Sequence, residues 1–326
     1  MIINRIKLNY NIKLLDDCFL QEKYEEASNI LFKNRKNQDI YFNLVNYIHQ
    51  KYLSQNQYIN FFRKKFIWIV SYDQRESSYI NDFLDFYLKS QNIKFGLENF
   101  SKCYSQTMKD LKIQSIPKKL DFNELINYSQ IIQTLIQQSN TNDYLVLSTD
   151  AAFFEAPNNK FLIYPNNSLC YFAIIKNPLE MYKRAKSQSS NNQEALNYMV
   201  NYDLKREEEL LRSNNDEYSA IENRQNWNTH TKSWTDDNVQ NSCRGKIIKF
   251  NELVSNTYEL LVDVIFHLKQ AGMPVDIDYD KIKEFMQKHK IEDNFYDIEI
   301  SNNEIKMISN SFDKGLLENL EFKLDN

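Results

Sequence analysis

The stretch Lys64–Leu88, KKFIWIVSYDQRESSYINDFLDFYL, decides the fold. Phe66-Ile67-Trp68-Ile69-Val70 is a continuous apolar run of β-branched and aromatic residues, and it predicts a strand buried on both faces. Ser71 and Tyr72 end it. After a short polar turn, Ile80, Phe83, Leu84, Tyr87 and Leu88 recur at helical spacing. A strand that delivers its carboxyl end into a helix N-terminus is a natural seat for a phosphate, because free backbone N–H groups and the helix dipole both point there.

Similar units follow. Asn92–Phe95 reads as a short second strand. Asp143–Leu147, Leu169–Ile175 and Gly245–Phe250 read as three more. Between them, Asp121 can cap a helix running to Gln138, with Leu125, Ile126, Ile131, Leu135 and Ile136 as its apolar face. Residues 178–215 are expected to be helical and to end in a solvated charged run, LKREEELLRSNND. Another helix holds Trp227, His230 and Trp234. A further one runs from Glu252 to about Gln270, and two or three helices containing Ile305, Met307, Ile308, Phe312, Leu316 and Leu317 finish the chain. Strands alternating with helices imply an α/β fold with a parallel central sheet flanked by helices.

Residues 1–62 form a helical extension, distinct from an α/β domain over 63–326. Leu14, Leu15, Phe19, Leu20, Tyr24, Ala27, Ile30 and Leu31 follow one stripe, and Phe42, Val45, Ile48 and Tyr52 lie on one face of a helix from Asp39 to Leu53. The phrase Gln21-Glu22-Lys23-Tyr24-Glu25-Glu26-Ala27 is similar to part of a tetratricopeptide unit. One such unit cannot bury its own face, so the alternative to a repeat is a helical cap packed on the main domain. These helices are also the expected surface for a protein partner.

With 326 residues, 40 basic and 44 acidic, the formal charge is −4. Neither sign dominates, so no nucleic acid or anionic membrane is expected as partner. Four glycines are far fewer than the usual share of about 7%, which argues against glycine-rich phosphate loops. Cys18, Cys103, Cys170 and Cys243 lie far apart, as do His49, His230, His267 and His289. Reduced thiols in a cytoplasmic protein and no metal site are the expectation. The N-terminus lacks the pattern of a signal peptide, and no run is long enough to span a bilayer. There is no G-x-x-x-x-G-K-[ST] loop to suggest a nucleoside triphosphatase.

Ser71-Tyr72, Ser77-Ser78 and Tyr79 carry a resemblance. The stretch resembles the first motif of the PAPS-dependent sulfotransferases, S-Y-P-[KR]-S-G-[NTS]-T-W, in which a lysine neutralises the 5′-phosphate and a glycine lets the backbone wrap around it. Where that family has Pro-Lys-Ser-Gly, this chain has Asp73-Gln74-Arg75-Glu76. A glutamine stands at the lysine and a glutamate at the glycine. The family's K-T-H, with its catalytic histidine and lysine, corresponds to Ser148-Thr149-Asp150. Its R-[DN]-P-x-[DE]-x-x-x-S, whose arginine and serine hold the 3′-phosphate, corresponds to Lys176-Asn177-Pro178-Leu179-Glu180-Met181-Tyr182-Lys183-Arg184. Lysine keeps the charge there and loses the bidentate fork. The pattern W-x-x-H-x-x-x-W is kept as Trp227, His230 and Trp234, on one helical face, and Glu252-Leu253 matches the turn that follows. The basic loop that closes over the nucleotide has no counterpart, because Asn294–Ile300 is acidic and free of glycine.

The resemblance spans Lys64 to Asn326 and implies a sulfotransferase fold of P-loop-like type. It implies PAPS or its product PAP as ligand, with Arg75, Ser77, Ser78, Tyr79, Lys176 and Arg184 as its contacts. Asp150 and His230 are the two candidates for a catalytic base. Each lost charged contact is worth roughly 1.5–3 kcal/mol, so the substitutions imply lost or much reduced sulfuryl transfer and a role as a binding or scaffolding module. The alternative is a divergent enzyme that moves a sulfuryl group from PAPS to a hydroxyl or amine. Convergence of Arg75, Ser77, Ser78, Lys176 and Arg184 on one concave site would favour the enzyme. A Glu76 side chain filling that space would favour the module.

Overall fold

The apolar run that opens the main domain is β1 (Phe66–Ser71), and all six of its residues are buried. The computed structural model describes residues 2–21, 23–34, 37–51, 65–100, 102–104, 106, 133, 136–137, 140–153, 155–156, 160–161, 167–188, 191, 195–196, 199–200, 226–291 and 298–324. The other strands are β2 (Phe95–Asn99), β3 (Tyr144–Thr149), β4 (Glu155–Ala156), β5 (Lys160–Phe161), β6 (Ser168–Ile175) and β7 (Gly245–Lys249). β1 pairs in parallel with β3 on one side and β6 on the other. β2 then pairs with β3, and β7 with β6, also in parallel. The sheet therefore runs β2-β3-β1-β6-β7, and β4 and β5 form a separate antiparallel pair. This is the parallel, helix-flanked sheet expected from the sequence.

Successive residues of β1 face opposite ways, as the pleat requires, and the core divides accordingly. Ile67 and Ile69 join one cluster with Ile80, Phe83 and Leu84 of α4 (Gln74–Ser90), with Leu261 and Ile265, and with Ile282 and Phe285. The last four lie on a helix at Thr257–Ala271 and another at Tyr279–Lys288. Phe66, Trp68 and Val70 point the other way. They share a cluster with Leu15 and Phe19 of α1 (Ile2–Leu20), Ala27 and Leu31 of α2 (Tyr24–Asn34), and Ile40, Leu44 and Ile48 of α3 (Gln38–Lys51). Those helices thus bury their apolar face with the sheet, which removes the physical need for stacked repeats. Polar locks fix them to one another. The Asn11 side chain donates to Asn34 at 3.2 Å, and Tyr47 and Lys51 both donate to Asp16, at 2.8 and 3.0 Å.

Several boundaries differ from expectation. The second strand starts at Phe95, not Asn92. Asn92 takes a left-handed backbone (φ 56°), and the Ile93 N–H turns back to the Leu88 carbonyl. Residues 91–93 therefore close α4. The N-terminal stripe is divided between two helices, one ending at Leu20 and the next starting at Tyr24, and Leu20 is left 75% exposed. The segment after β7 is also two helices, Phe250–Ser255 and Thr257–Ala271, because Asn256 leaves helical geometry between them (φ −126°, ψ 42°). The expected helix over Asp121–Gln138 lies outside the described residues except for Gln133, Ile136 and Gln137, which are helical. The charged run over 204–216, and residues 292–297, lie outside them too.

In chain order the remaining helices are α5 (Pro178–Gln188), α6 (Trp227–Thr235), α7 (Asp237–Cys243), α8 (Phe250–Ser255), α9 (Thr257–Ala271), α10 (Tyr279–Lys288), α11 (Asn302–Ser311) and α12 (Lys314–Asn319). A third apolar cluster sits at the carboxyl end of the sheet. It gathers Tyr72, Ile175, Leu179, Tyr182, Trp227, Ile308 and Phe312.

Candidate functional site at the sheet switch point

The chain leaves β1 toward β2 and leaves β6 toward β7, in opposite directions along the sheet. The carboxyl ends of β1 and β6, where Ser71 is in register with Ile174, are therefore the topological switch point, the place where open α/β sheets bind ligands. Two short loops form its walls, Tyr72-Asp73 and Lys176-Asn177.

The first wall is a tight turn. Ser71 Oγ donates to the Asp73 carbonyl at 2.7 Å, and the Glu76 N–H donates to the same carbonyl at 2.9 Å. This turn starts α4 directly after Asp73. Glu76, in the first turn of α4, is 4% exposed, and both of its carboxylate oxygens are buried. Ser77 is buried and Ser78 is exposed. Tyr79 points into the core, where its ring meets Phe285 edge-on at 5.2 Å and burial pushes its phenol up to about 12. Arg75 lies in the same turn, and its side chain is outside what the structure describes.

The second wall carries the cations. Lys176 Nζ lies 4.4 Å from the centre of the Phe250 ring. Asn177 accepts from the Leu179 N–H at 2.9 Å and so caps α5. From α5, Arg184 Nη1 reaches back to Asp73 Oδ2 at 3.4 Å, with both side chains largely buried (14% and 13% exposed). Lys183 pairs with Glu180 at 2.9 Å and Lys186 with Glu304 at 2.8 Å.

The two candidate bases flank this crevice. Asp150 directly follows β3, which neighbours β1, and its Oδ1 is buried. His230 is buried on α6 with its ring edge-on to Tyr72 at 5.4 Å. Trp227, His230 and Trp234 are all buried, so the helical face expected from their spacing is present. α6 also holds the segment after β3. Trp234 Nε1 donates to the Ala151 carbonyl at 2.9 Å, and the Phe153 N–H donates to Ser233 Oγ at 2.9 Å.

Among the described residues, the contact that closes the crevice is the pair Asp73–Arg184. Lys176 is directed to Phe250, Tyr79 to the core and Ser78 to solvent. Sequence reasoning overlooked Asp73, although an aspartate immediately before a helix is a visible signal. It also overlooked the end of the chain. Asn177 Nδ2 donates to the Lys323 carbonyl at 2.8 Å, and Lys249, at the end of β7, pairs with Glu321 at 2.6 Å. Trp227 packs on Phe312 and Phe322 at 5.3 and 6.4 Å. The final segment is thus fastened to the carboxyl edge of β6 and β7. Nothing in the primary order of residues marks it for that place.

No family model matches the sequence, and no curated protein matches it. Among the solved structures similar to this chain are two sulfotransferases. One is mouse sulfotransferase SULT7A1 complexed with PAP, at 10% identity and a TM-score of 0.39, over 84% of this chain and 88% of that one. The other is a sulfotransferase from Alicyclobacillus acidocaldarius, at 14% identity and a TM-score of 0.37, over 80% and 97%.

Among the described residues, those around the start of α4 are unfavourable to a phosphate. A phosphate at the start of α4 would meet the carboxylates of Asp73 and Glu76, which repel it, while Arg184 is already paired with one of them. Among the described residues no group of His, Cys, Asp and Glu is arranged to hold a metal ion. No helix among them is long and apolar enough to cross a membrane.

Proposed function

We propose that this protein is a binding or scaffolding module on a sulfotransferase-like fold, with sulfuryl transfer lost or much reduced. The observation that carries this reading is the buried Glu76 carboxylate in the first turn of α4, at the switch point. A helix N-terminus favours one anion. Here that anion is supplied by the chain itself, so a donor phosphate meets like charge. Asp73 on Arg184 and Lys176 on Phe250 act in the same direction, because these two cations each have an internal contact.

Surfaces outside the crevice would then carry the role. The N-terminal helices offer one, since Ile6 and Tyr10 of α1 are 65% and 63% exposed. The alternative, a divergent transferase, has His230 in its favour. That imidazole lies against Tyr72 at the crevice wall, where a base would need to be.

Calorimetric titration with 3′-phosphoadenosine 5′-phosphate separates the two. No heat of binding at millimolar nucleotide is the expected result. Micromolar binding abolished by Lys176→Ala or Arg184→Ala would overturn the module reading and make a search for an acceptor worthwhile.

A further inference from the structure

We infer that the exposed face of α1 docks an acidic, amphipathic segment of a partner protein. This rests on the module reading above and names the chemistry of the partner. Ile6, Tyr10 and Lys13 stand at i, i+4 and i+7, one above another on a single side of the helix. All three are exposed, Ile6 and Tyr10 at 65% and 63%. Leu15 and Phe19, on the other side, are buried in the cluster that includes Trp68 of β1. α1 is therefore apolar on two sides, and the described residues cover one of them. Arg5 and Lys7 flank Ile6 and are exposed as well. Lys33, in the last turn of α2, is a further exposed cation at this end of the helices. The hydrogen bond from Asn11 to Asn34, at 3.2 Å, sets the end of α2 beside the middle of α1.

Charge decides what fits this face. From Ile2 to Leu15 the sequence holds Arg5, Lys7 and Lys13 and no acidic residue, in a chain whose net charge is −4. Among the described residues, none of these cations, nor Lys33, has an ion-pair partner. Lys23 and Lys51, on the same group of helices, pair with Glu26 and Asp16. Asp17, exposed one turn beyond Lys13, ends the basic patch. An acidic segment supplies the missing counter-charges while its apolar side takes up Ile6 and Tyr10. An isoleucine and a tyrosine ringed by arginine and lysine match the usual division of labour in an interface. Central anchors carry the affinity, and rim charges set the association rate and the choice of partner. A second copy of this chain fits poorly, because a two-fold contact would set one basic patch against another. A lipid surface fits poorly too, since exposed Asn9 and Asp17 interrupt the apolar stripe that an interfacial helix lays into a membrane.

The test uses the full chain and two labelled synthetic peptides, each an amphipathic helix of about five turns. Both carry leucine and phenylalanine on one side. One is flanked by glutamates and the other by lysines at the same positions. Fluorescence anisotropy is expected to show the glutamate peptide binding roughly tenfold more tightly or better, with a preference that fades as salt is raised. Ile6→Ser or Tyr10→Ser should weaken that binding roughly tenfold. Lys7→Glu combined with Lys13→Glu should reverse the preference in favour of the lysine peptide. All four positions are exposed, and a far-ultraviolet circular dichroism spectrum and melting temperature like those of the unaltered protein confirm that each variant is folded. Failure of the glutamate peptide to bind, equal binding of the two peptides, or a preference that survives the charge reversal would overturn the inference. So would binding to phosphatidylserine vesicles, in place of the peptide, that is lost with Tyr10→Ser, or self-association of the chain lost with the same variant. The nucleotide titration reports on the crevice alone. Nucleotide binding would sink the module reading and leave the peptide preference standing, and absence of that preference would sink the present inference alone.

Discussion

The buried carboxylate of Glu304 accepts a hydrogen bond from the Tyr182 hydroxyl at 3.0 Å, joining α11 to α5. The same carboxylate closes the capping box of α11 by accepting from the Ser301 N–H at 2.9 Å, and it pairs with Lys186 at 2.8 Å. One residue therefore ties the last part of the chain to the helix that presents Arg184.

Removing parts of that junction should have graded effects. Tyr182→Phe leaves the ion pair and the cap in place and should cost about 1 kcal/mol. Glu304→Ala removes the carboxylate that pairs with Lys186 and accepts from the Tyr182 hydroxyl, and removes the cap, and should cost about 3 kcal/mol or more. Urea midpoints measured with intact m-values would show this ranking. Burial by itself would raise the Glu304 pKa, and the bonds from Lys186, Ser301 and Tyr182 outweigh it, holding the group at about 2. Its contribution is thus fully present above the ordinary 4.5 and is lost as the pH falls toward 2. Glu304→Gln should remove that segment of the pH profile.

Gly245 is placed by contact with a ring. A Cβ added there would collide with the Tyr171 ring, whose hydroxyl donates to the Trp234 carbonyl at 2.5 Å and is not free to swing away. Gly245→Ala should therefore cost about 3 kcal/mol or more, as overpacking of a rigid core does. The cost should fall sharply when the substitution is made in a Tyr171→Leu background. A double-mutant cycle in thermal unfolding measures this coupling, and strict additivity would contradict the steric explanation.

Trp234 anchors the segment after β3 through Ala151. Trp234→Phe removes that donor and leaves a void beside Phe153 and Tyr171, which pack on the indole at 5.0 and 4.9 Å. The expected loss is about 2–4 kcal/mol. Amide exchange at Phe153 should accelerate more than at β1. Uniform acceleration across both would show that the indole does not hold this segment in particular.

His267 should set part of the stability profile at mildly acid pH. Burial lowers its pKa below 6.5, against the opposing effect of its bond to the Arg244 carbonyl at 2.8 Å, and the charges of Lys246 and Arg244 lower it further. The folded state thus prefers the neutral ring. Its stability is complete above 6.5, declines as the pH drops through the window down to the lowered folded value, and is flat below it. His267→Gln should flatten the profile in that window, which chemical denaturation between pH 7 and 5 would reveal.

Much of the fold was legible because it depends on local pattern. The run Phe66–Val70 had the composition of a doubly buried strand, and it is one, with neighbouring residues feeding opposite core clusters. Trp227, His230 and Trp234 had the spacing of one helical face, and all three are buried. The strand misplaced at Asn92 shows the limit. Asparagine and glycine compete for left-handed turns, and only the backbone reveals that Asn92 takes one at the end of α4. The crevice was half legible for a similar reason. Residue identities exposed the acidic character of Asp73 and Glu76, but not that one is buried and the other spans to Arg184. That pairing depends on the register of β1 and β6, which brings distant residues to one edge.

The packing of α1–α3 with the far face of the sheet has a consequence for the order in which the protein is made. These helices leave the ribosome before the sheet they pack on. Yet the cluster that receives them also needs Tyr171 and Ala173 of β6, Trp234 of α6 and Cys243 of α7. At ordinary elongation rates, roughly 10 to 40 s separate the emergence of α3 from that of α7. Throughout that interval Leu15, Phe19, Leu31 and Leu44 have no completed surface to cover. The nascent chain should therefore depend on holding chaperones while its second half is synthesised, and a stall placed just before α6 should leave the N-terminal helices sensitive to protease.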